Sequence, residues 1–120
     1  MLNDHETFGG EFDGARDSEE KIRNLVTDKP DYVWAAEVDG QLVGTVTVFE
    51  DGRACWLYRF AYRDRQVGQA LWDQARQVAA DRGHSQVLVY APAGDTEFEK
   101  RYNDLGFNTG HSFTAYWQDI

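Results

Sequence analysis

The chain has 120 residues, 42% of them apolar and 14% aromatic, with 21 acidic and 12 basic side chains and a formal charge of −9. This is the length of one domain around a single sheet-and-helix core, and the acidity argues against nucleic acid and anionic membranes as main partners, because both reward clustered Lys and Arg. It suits a cationic or amine-bearing partner, or serves solubility alone.

A single cysteine, Cys55, leaves no intrachain disulfide and no multi-cysteine zinc site, and agrees with a reducing, cytoplasmic setting. The opening Met-Leu-Asn-Asp-His-Glu lacks the basic and apolar segments of a secretory signal, and no apolar run has the length of a bilayer span.

Residues 1–17 are polar and offer only Phe8 and Phe12 as anchors, which predicts an irregular lead-in. Ser18 suits the cap of a short helix over 18–27, with Ile22, Leu25 and Val26 on one face, and Pro30 stops it. Residues 32–38 read as a strand and Asp39-Gly40 as a two-residue hairpin turn. Residues 41–49 read as a second strand, with Leu42, Gly44, Val46 and Val48 sharing a face. After a turn at 50–53, residues 54–62 predict a third strand with Trp56, Tyr58, Phe60 and Tyr62 on one face. Together the three strands make an antiparallel meander.

The period then changes. Leu71, Ala75, Val78, Ala79 and Arg82 follow helical spacing over 68–82, and Gly83 suits the helix end. Residues 86–90 read as a buried strand, and strand, helix, strand implies a right-handed crossover with a parallel pair. Asp95 or Thr96 opens another helix, with Phe98, Tyr102 and Leu105 on one face and Gly106 behind it. Residues 111–117 read as a final strand. The fold class is α/β (α+β), a mostly antiparallel mixed sheet with one parallel step, in a single domain over 1–120.

The junction at 62–70 carries the chemistry. Arg63 and Arg65 meet Gly68 where a strand ends and a helix begins. A helix start leaves backbone N–H groups unpaired and its dipole is positive, which suits a phosphate or pyrophosphate. The alternative reading is a plain helix start with solvated arginines.

Four segments in fixed order extend this reading. Residues 36–48 resemble a central hairpin, and Arg65-Gln66-Val67-Gly68-Gln69-Ala70 resembles a Gln/Arg-x-x-Gly-x-Gly/Ala pyrophosphate motif. Ala80-Asp81-Arg82-Gly83 resembles a helix end, and Tyr102-Asn103-Asp104-Leu105-Gly106-Phe107 a Tyr-x-x-Leu-Gly-Phe signature. In this order the chain resembles, over about residues 32–117, the GNAT superfamily of acyl-CoA-dependent N-acyltransferases.

The resemblance implies a splayed parallel strand pair, helices on both sheet faces, and acetyl-CoA as co-substrate. The amides of Arg63, Arg65, Gln66, Val67, Gly68, Gln69 and Ala70 would hold the pyrophosphate. A backbone N–H among Phe60, Ala61 and Tyr62 would meet the acyl oxygen, and Asp95 falls where the family places a residue near the pantetheine arm. Tyr102 aligns with the general acid; its helical spacing also fits a core aromatic. A register starting at Arg63 is an alternative, which puts Gln66 where a glycine is common and aligns Leu71 better. The family's link from the third strand into the motif is longer than the one here, and its first strand has no counterpart in 1–17. The sheet therefore lacks an edge or takes one from a partner, and a homodimer follows on physical grounds.

A general base would be Glu37, Glu50 or Asp51, or each is an ordinary solvated carboxylate. His5, His84 and His111 are scattered, so no metal site is expected. Cys55 reads as a small buried hydrophobe, and Trp34, Trp56, Trp72 and Trp117 as core or groove walls. The resulting expectation is a cytoplasmic N-acetyltransferase acting on a small amine or peptide, with no nucleic acid or membrane partner. The alternatives are a degenerate CoA-sensing or protein-interaction module, and a structural dimerisation domain.

Overall fold

The computed structural model describes residues 32–120. The expected lead-in over 1–17, the helix over 18–27, its stop at Pro30 and the missing first strand lie outside the described residues.

Strands β1 (Val33–Val38), β2 (Gln41–Glu50) and β3 (Cys55–Tyr62) form an antiparallel sheet in that order. The β1–β2 turn works because Asp39 and Gly40 both take positive φ, 52° and 76°. A two-residue turn of that hand matches the twist of the strands it joins.

Two irregularities change which side chains share a face. Between Ala36 and Glu37 the register slips, leaving Val43 as an extra residue on β2. Gly44, Val46 and Val48 keep one face as expected, but Leu42 falls out of step and is 52% exposed. On β3, Tyr58 pairs with Thr47 and Ala61 with Thr45, so Arg59 and Phe60 together oppose Val46. This is a β-bulge, with Arg59 at φ 49°. The bulge divides the expected aromatic face. Trp56 and Tyr58 pair with Phe49 and Thr47, whereas Tyr62 pairs with Gly44 on the opposite, helix-covered face. The Phe60 ring lies with that of Tyr62, at 5.1 Å.

Helix α1 (Arg65–Asp81) covers the Gly44–Val46–Val48 face. It starts three residues before the expected position 68 because Asp64 caps it. Val67, Leu71, Ala75 and Ala79, each four residues apart, bury against Val46, Val48, Cys55 and Leu57. A Cβ on Gly44 would lie 2.6 Å from Leu71 and Val67, so helix and strand approach too closely for any side chain. The helix ends as a Schellman motif: Gly83 N donates to Ala80 O at 3.0 Å and His84 N to Ala79 O at 3.0 Å.

The expected strand over 86–90 is reduced to one parallel bridge between Trp56 and Leu88. Leu57 N donates to Leu88 O and Leu88 N to Cys55 O, both at 2.9 Å. Helix α2 (Thr96–Asp104) follows, capped by Asp95. No strand forms over 111–117, and Phe113 and Trp117 are 77% and 85% exposed. A strand-like composition alone does not make a strand where no neighbouring backbone takes up its N–H and C=O groups.

Candidate functional site

The centre of the site is the outer edge of β3. Leu57 is the last residue whose backbone reaches Leu88, so from Tyr58 onward that edge has no strand beside it among the described residues. Arg63 N donates to Val43 O at 2.9 Å, which fixes the direction of alternate amides. By alternation Ala61 also faces β2, where it pairs with Thr45, while Phe60 and Tyr62 turn their N–H groups outward. Of the three amides the sequence could not separate, two therefore point into the open side.

Helix α1 begins three residues beyond Tyr62. Arg63, Arg65, Gln66 and Ala70 are exposed, Val67 and Gly68 are buried, and Gln69 is half-buried, donating to Asp73 at 2.9 Å. Gly68 N donates to Asp64 O at 3.0 Å as an ordinary helix bond. A Cβ on Gly68 would lie 2.6 Å from the Tyr62 ring, so this glycine is required by packing between α1 and β3. Asp64, which the sequence reading passed over, accepts Val67 N on one carboxylate oxygen at 3.1 Å and Arg63 Nε on the other at 3.0 Å. The Val67 amide first, and then the Arg63 side chain, hold its pKa below the usual carboxylate value. The helix start thus has a resident anion.

The far wall is aromatic. Tyr102, half-buried on α2, lies 6.4 Å from Phe60, 6.2 Å from Phe98 and 5.6 Å from Phe107 between ring centres. Trp72 of α1 continues the wall at 4.5 Å from Phe107. Arg101, not anticipated from sequence, stands over Phe98 at 5.6 Å and Tyr62 at 6.0 Å. Burial pushes the Tyr62 phenol pKa up. Arg65 ties the two helices together by donating to Asp104 O at 3.4 Å.

The Tyr-x-x-Leu-Gly-Phe segment has a physical explanation of its own. Phe107 N donates to Tyr102 O at 2.9 Å and Gly106 N to Asn103 O at 3.0 Å, with Gly106 at φ 92°. This is a second Schellman motif, and its expected apolar contact is the Tyr102–Phe107 ring pair. Tyr102 therefore has a structural duty whatever chemistry it performs. Asp95 accepts the N–H groups of Glu97 and Phe98 at 3.1 and 3.2 Å, so its carboxylate is committed to the cap.

The three candidate bases separate by position. Glu50 and Asp51 lie at the Cys55 end of β3, roughly 20 Å from Tyr62 at about 3.3 Å per residue. Glu50 binds Arg82 at 3.2 Å, with His84 at 3.5 Å, and Asp51 accepts the amides of Ala54 and Arg53 and the Trp56 indole. Those bonds, the Ala54 amide foremost, lower the Asp51 pKa. Glu37 is exposed and pairs with Leu42 at the end of the sheet that holds Tyr62. Cys55 is fully buried, and burial raises its thiol pKa. Trp34 and Trp72 pack on the core and Trp56 meets Tyr90 at 4.8 Å, but Trp117 is exposed rather than part of a wall. Among the described residues no cluster suited to a metal occurs, and no helix is long and apolar enough to cross a membrane.

Comparison with solved structures supports this architecture. Aminoglycoside antibiotic 6'-N-acetyltransferase AAC(6')-IG from Acinetobacter haemolyticus superposes with a TM-score of 0.69 at 16% identity, covering 84% of this chain and 79% of that one. AAC(6')-Iy, solved with a bisubstrate analogue built on CoA, gives 0.66 at 14% identity, covering 89% and 86%. Glucosamine-6-phosphate N-acetyltransferase from Arabidopsis thaliana gives 0.62 at 14% identity, covering 85% and 80%. At these identities the likeness speaks for the fold. The model of the acetyltransferase (GNAT) family matches residues 1–107, nearly the whole chain, and the protein belongs to that family.

Proposed function

We propose that the protein is an N-acetyltransferase that moves the acetyl group of acetyl-CoA to a primary amine of a small molecule or peptide. The observation that carries this reading is the half-open strand β3, which turns the N–H groups of Phe60 and Tyr62 outward beside both the α1 start and Tyr102. The thioester would lie between β3 and the diverging 86–90 segment, its diphosphate toward residues 63–70. Membership of the family and the CoA-based analogue bound to a similar fold support the choice of donor.

The chemistry asks little more of the chain. The amine enters as free base and forms the new C–N bond at the acyl carbon. Negative charge gathers on the acyl oxygen, where the N–H of Phe60 or Tyr62 stabilises it. As the C–S bond breaks, the Tyr102 hydroxyl protonates the sulfur and regains its proton from solvent. Glu37, directly or through water, takes the proton released by the amine; Glu50 and Asp51 are too distant and already bonded. Acceptance of a cationic substrate agrees with the charge of −9, and Cys55 with a reducing cytoplasm. A homodimer through the outer edge of β1 belongs to the same proposal and is checked by solution mass.

Calorimetry with acetyl-CoA and CoA, followed by thiol release across an amine panel, tests this function. Binding below millimolar concentration and turnover with at least one amine are expected. Tyr102→Phe should lower kcat about a hundredfold with KM for acetyl-CoA little changed, the scale of one general acid. No binding at millimolar ligand ends the reading. A second reading, a non-catalytic CoA-sensing or interaction module, is favoured by the two-residue link between β3 and α1 and by Gln66 in the first turn of α1. It predicts CoA binding without turnover, unaffected by Tyr102→Phe.

A further inference from the structure

We infer that Asp64 is an internal stand-in for the donor's diphosphate, and that the cost of displacing it sets how strongly the site prefers a thioester carrying a diphosphate to one without. This rests on the acyl-CoA reading above. The two oxygens of one carboxylate engage the two kinds of group that a diphosphate would use here: a main-chain amide of the helix start, Val67 N at 3.1 Å, and a guanidinium, Arg63 Nε at 3.0 Å. Both contacts are charge-assisted and of normal length. The Asp64 side chain is 45% exposed and that of Arg63 54%, so the pair can part into water without disturbing the core.

The other groups around it do not compensate the carboxylate. Arg65 is engaged with the Asp104 carbonyl at the end of α2, and α1 carries no further acid or Lys in its first turn. A diphosphate arriving at 63–67 must therefore break the Asp64 contacts or accept a like charge beside it. Its binding is weakened relative to a ligand whose pantetheine part alone contacts β3. With Asn at position 64 the amide oxygen still caps Val67, while the negative charge and the ion pair to Arg63 disappear, leaving that guanidinium to the ligand.

The test compares CoA with pantetheine, which lacks the diphosphate, by calorimetry on the full chain. Asp64→Asn should bind CoA about tenfold more tightly than the parent, the scale of one charge-assisted contact regained at an exposed site, with pantetheine affinity changed less than about twofold. Asp64→Ser, which also keeps a capping oxygen, should behave alike, and a cooperative thermal melt identifies each folded variant. Asp81→Asn, at the far end of α1, removes the same charge and should leave both ligands unaffected. In the parent, the Val67 amide resonance should move with CoA and stay with pantetheine. Equal CoA affinity in the parent and Asp64→Asn overturns the inference and leaves the acetyltransferase reading intact. Equal tightening by Asp81→Asn overturns it in favour of bulk charge. CoA binding by neither protein removes both.

Discussion

Gly68 and Tyr62 are best understood as one unit. The Cβ that any other residue would add meets three atoms of the Tyr62 ring between 2.6 and 2.8 Å, and that ring is held between Phe60 and Arg101. Gly68→Ala gains about 1 kcal/mol of helix propensity but overpacks the helix–strand contact by roughly 1–3 kcal/mol. A net loss of about 1 kcal/mol is expected in urea unfolding. The double variant Gly68→Ala/Tyr62→Val should lose less than the sum of its parts, because the clash needs both partners. A bulky residue at 68 would thus report on packing before it reported on any phosphate. Cys55 gives a second expectation. Its side chain is fully buried, and burial first, then Glu50, raises its thiol pKa. A disulfide reagent at neutral pH should label it only as fast as the protein unfolds; rapid labelling of the native chain would contradict the burial.

At the scale of elements, the readable parts are those that carry a local chemical mark. Asp39-Gly40 announces a hairpin because both positions must take positive φ. Gly83 and Gly106 announce helix ends because each sits at the left-handed position of a Schellman motif. Asp95 announces a helix start, and Asp95→Ala should cost about 1 kcal/mol of stability in a denaturant titration. The bulge carries no such mark: Arg59 takes φ 49° without being Gly, Asn or Asp, so period-two reading ran straight through it and joined Trp56 and Tyr58 to Phe60 and Tyr62. The segments 86–90 and 111–117 fall short for the opposite reason. The first is a buried-looking apolar run that keeps one parallel bridge and the second is rich in aromatics, but a strand exists only where another backbone meets it, and that is not written in the segment itself. Much the same holds at the site. Motif spacing marks the strand-to-helix junction to within three residues and places Tyr102 on the helix that faces Phe60, whereas nothing in the spacing marks Asp64, whose carboxylate holds both Val67 and Arg63.

For the whole molecule, charge and acid response are linked. Asp51 and Asp64 both have pKa values depressed by hydrogen bonds they make when folded. A depressed carboxylate contributes stability above its unfolded pKa, about 3.9, and that contribution is lost as pH falls through the lower folded value. The net charge of −9 acts the other way, since protonating exposed acids on the way down from neutrality relieves self-repulsion. The thermal midpoint should therefore hold or rise from pH 7 to about 5 and fall steeply below about pH 4. Asp51→Asn should soften that fall. A midpoint that declined steadily from pH 7 would mean that these two turn and cap carboxylates are not what acid attacks.

The bulge on β3 acts as a phase reversal inside a strand of eight residues. Upstream of Arg59 one parity of side chain supplies the interior; downstream the opposite parity does so, and the leftover amides change sides with it. The strand thus holds one residue more than its ladder needs. Removing Arg59 would leave Phe60 alone opposite Val46, with Ala61 and Tyr62 still opposite Thr45 and Gly44. A single-codon deletion at this point should therefore keep Tyr62 beside Gly68 and cost only the local bend and twist, whereas the same deletion in an unbulged strand would turn every later side chain to the other face.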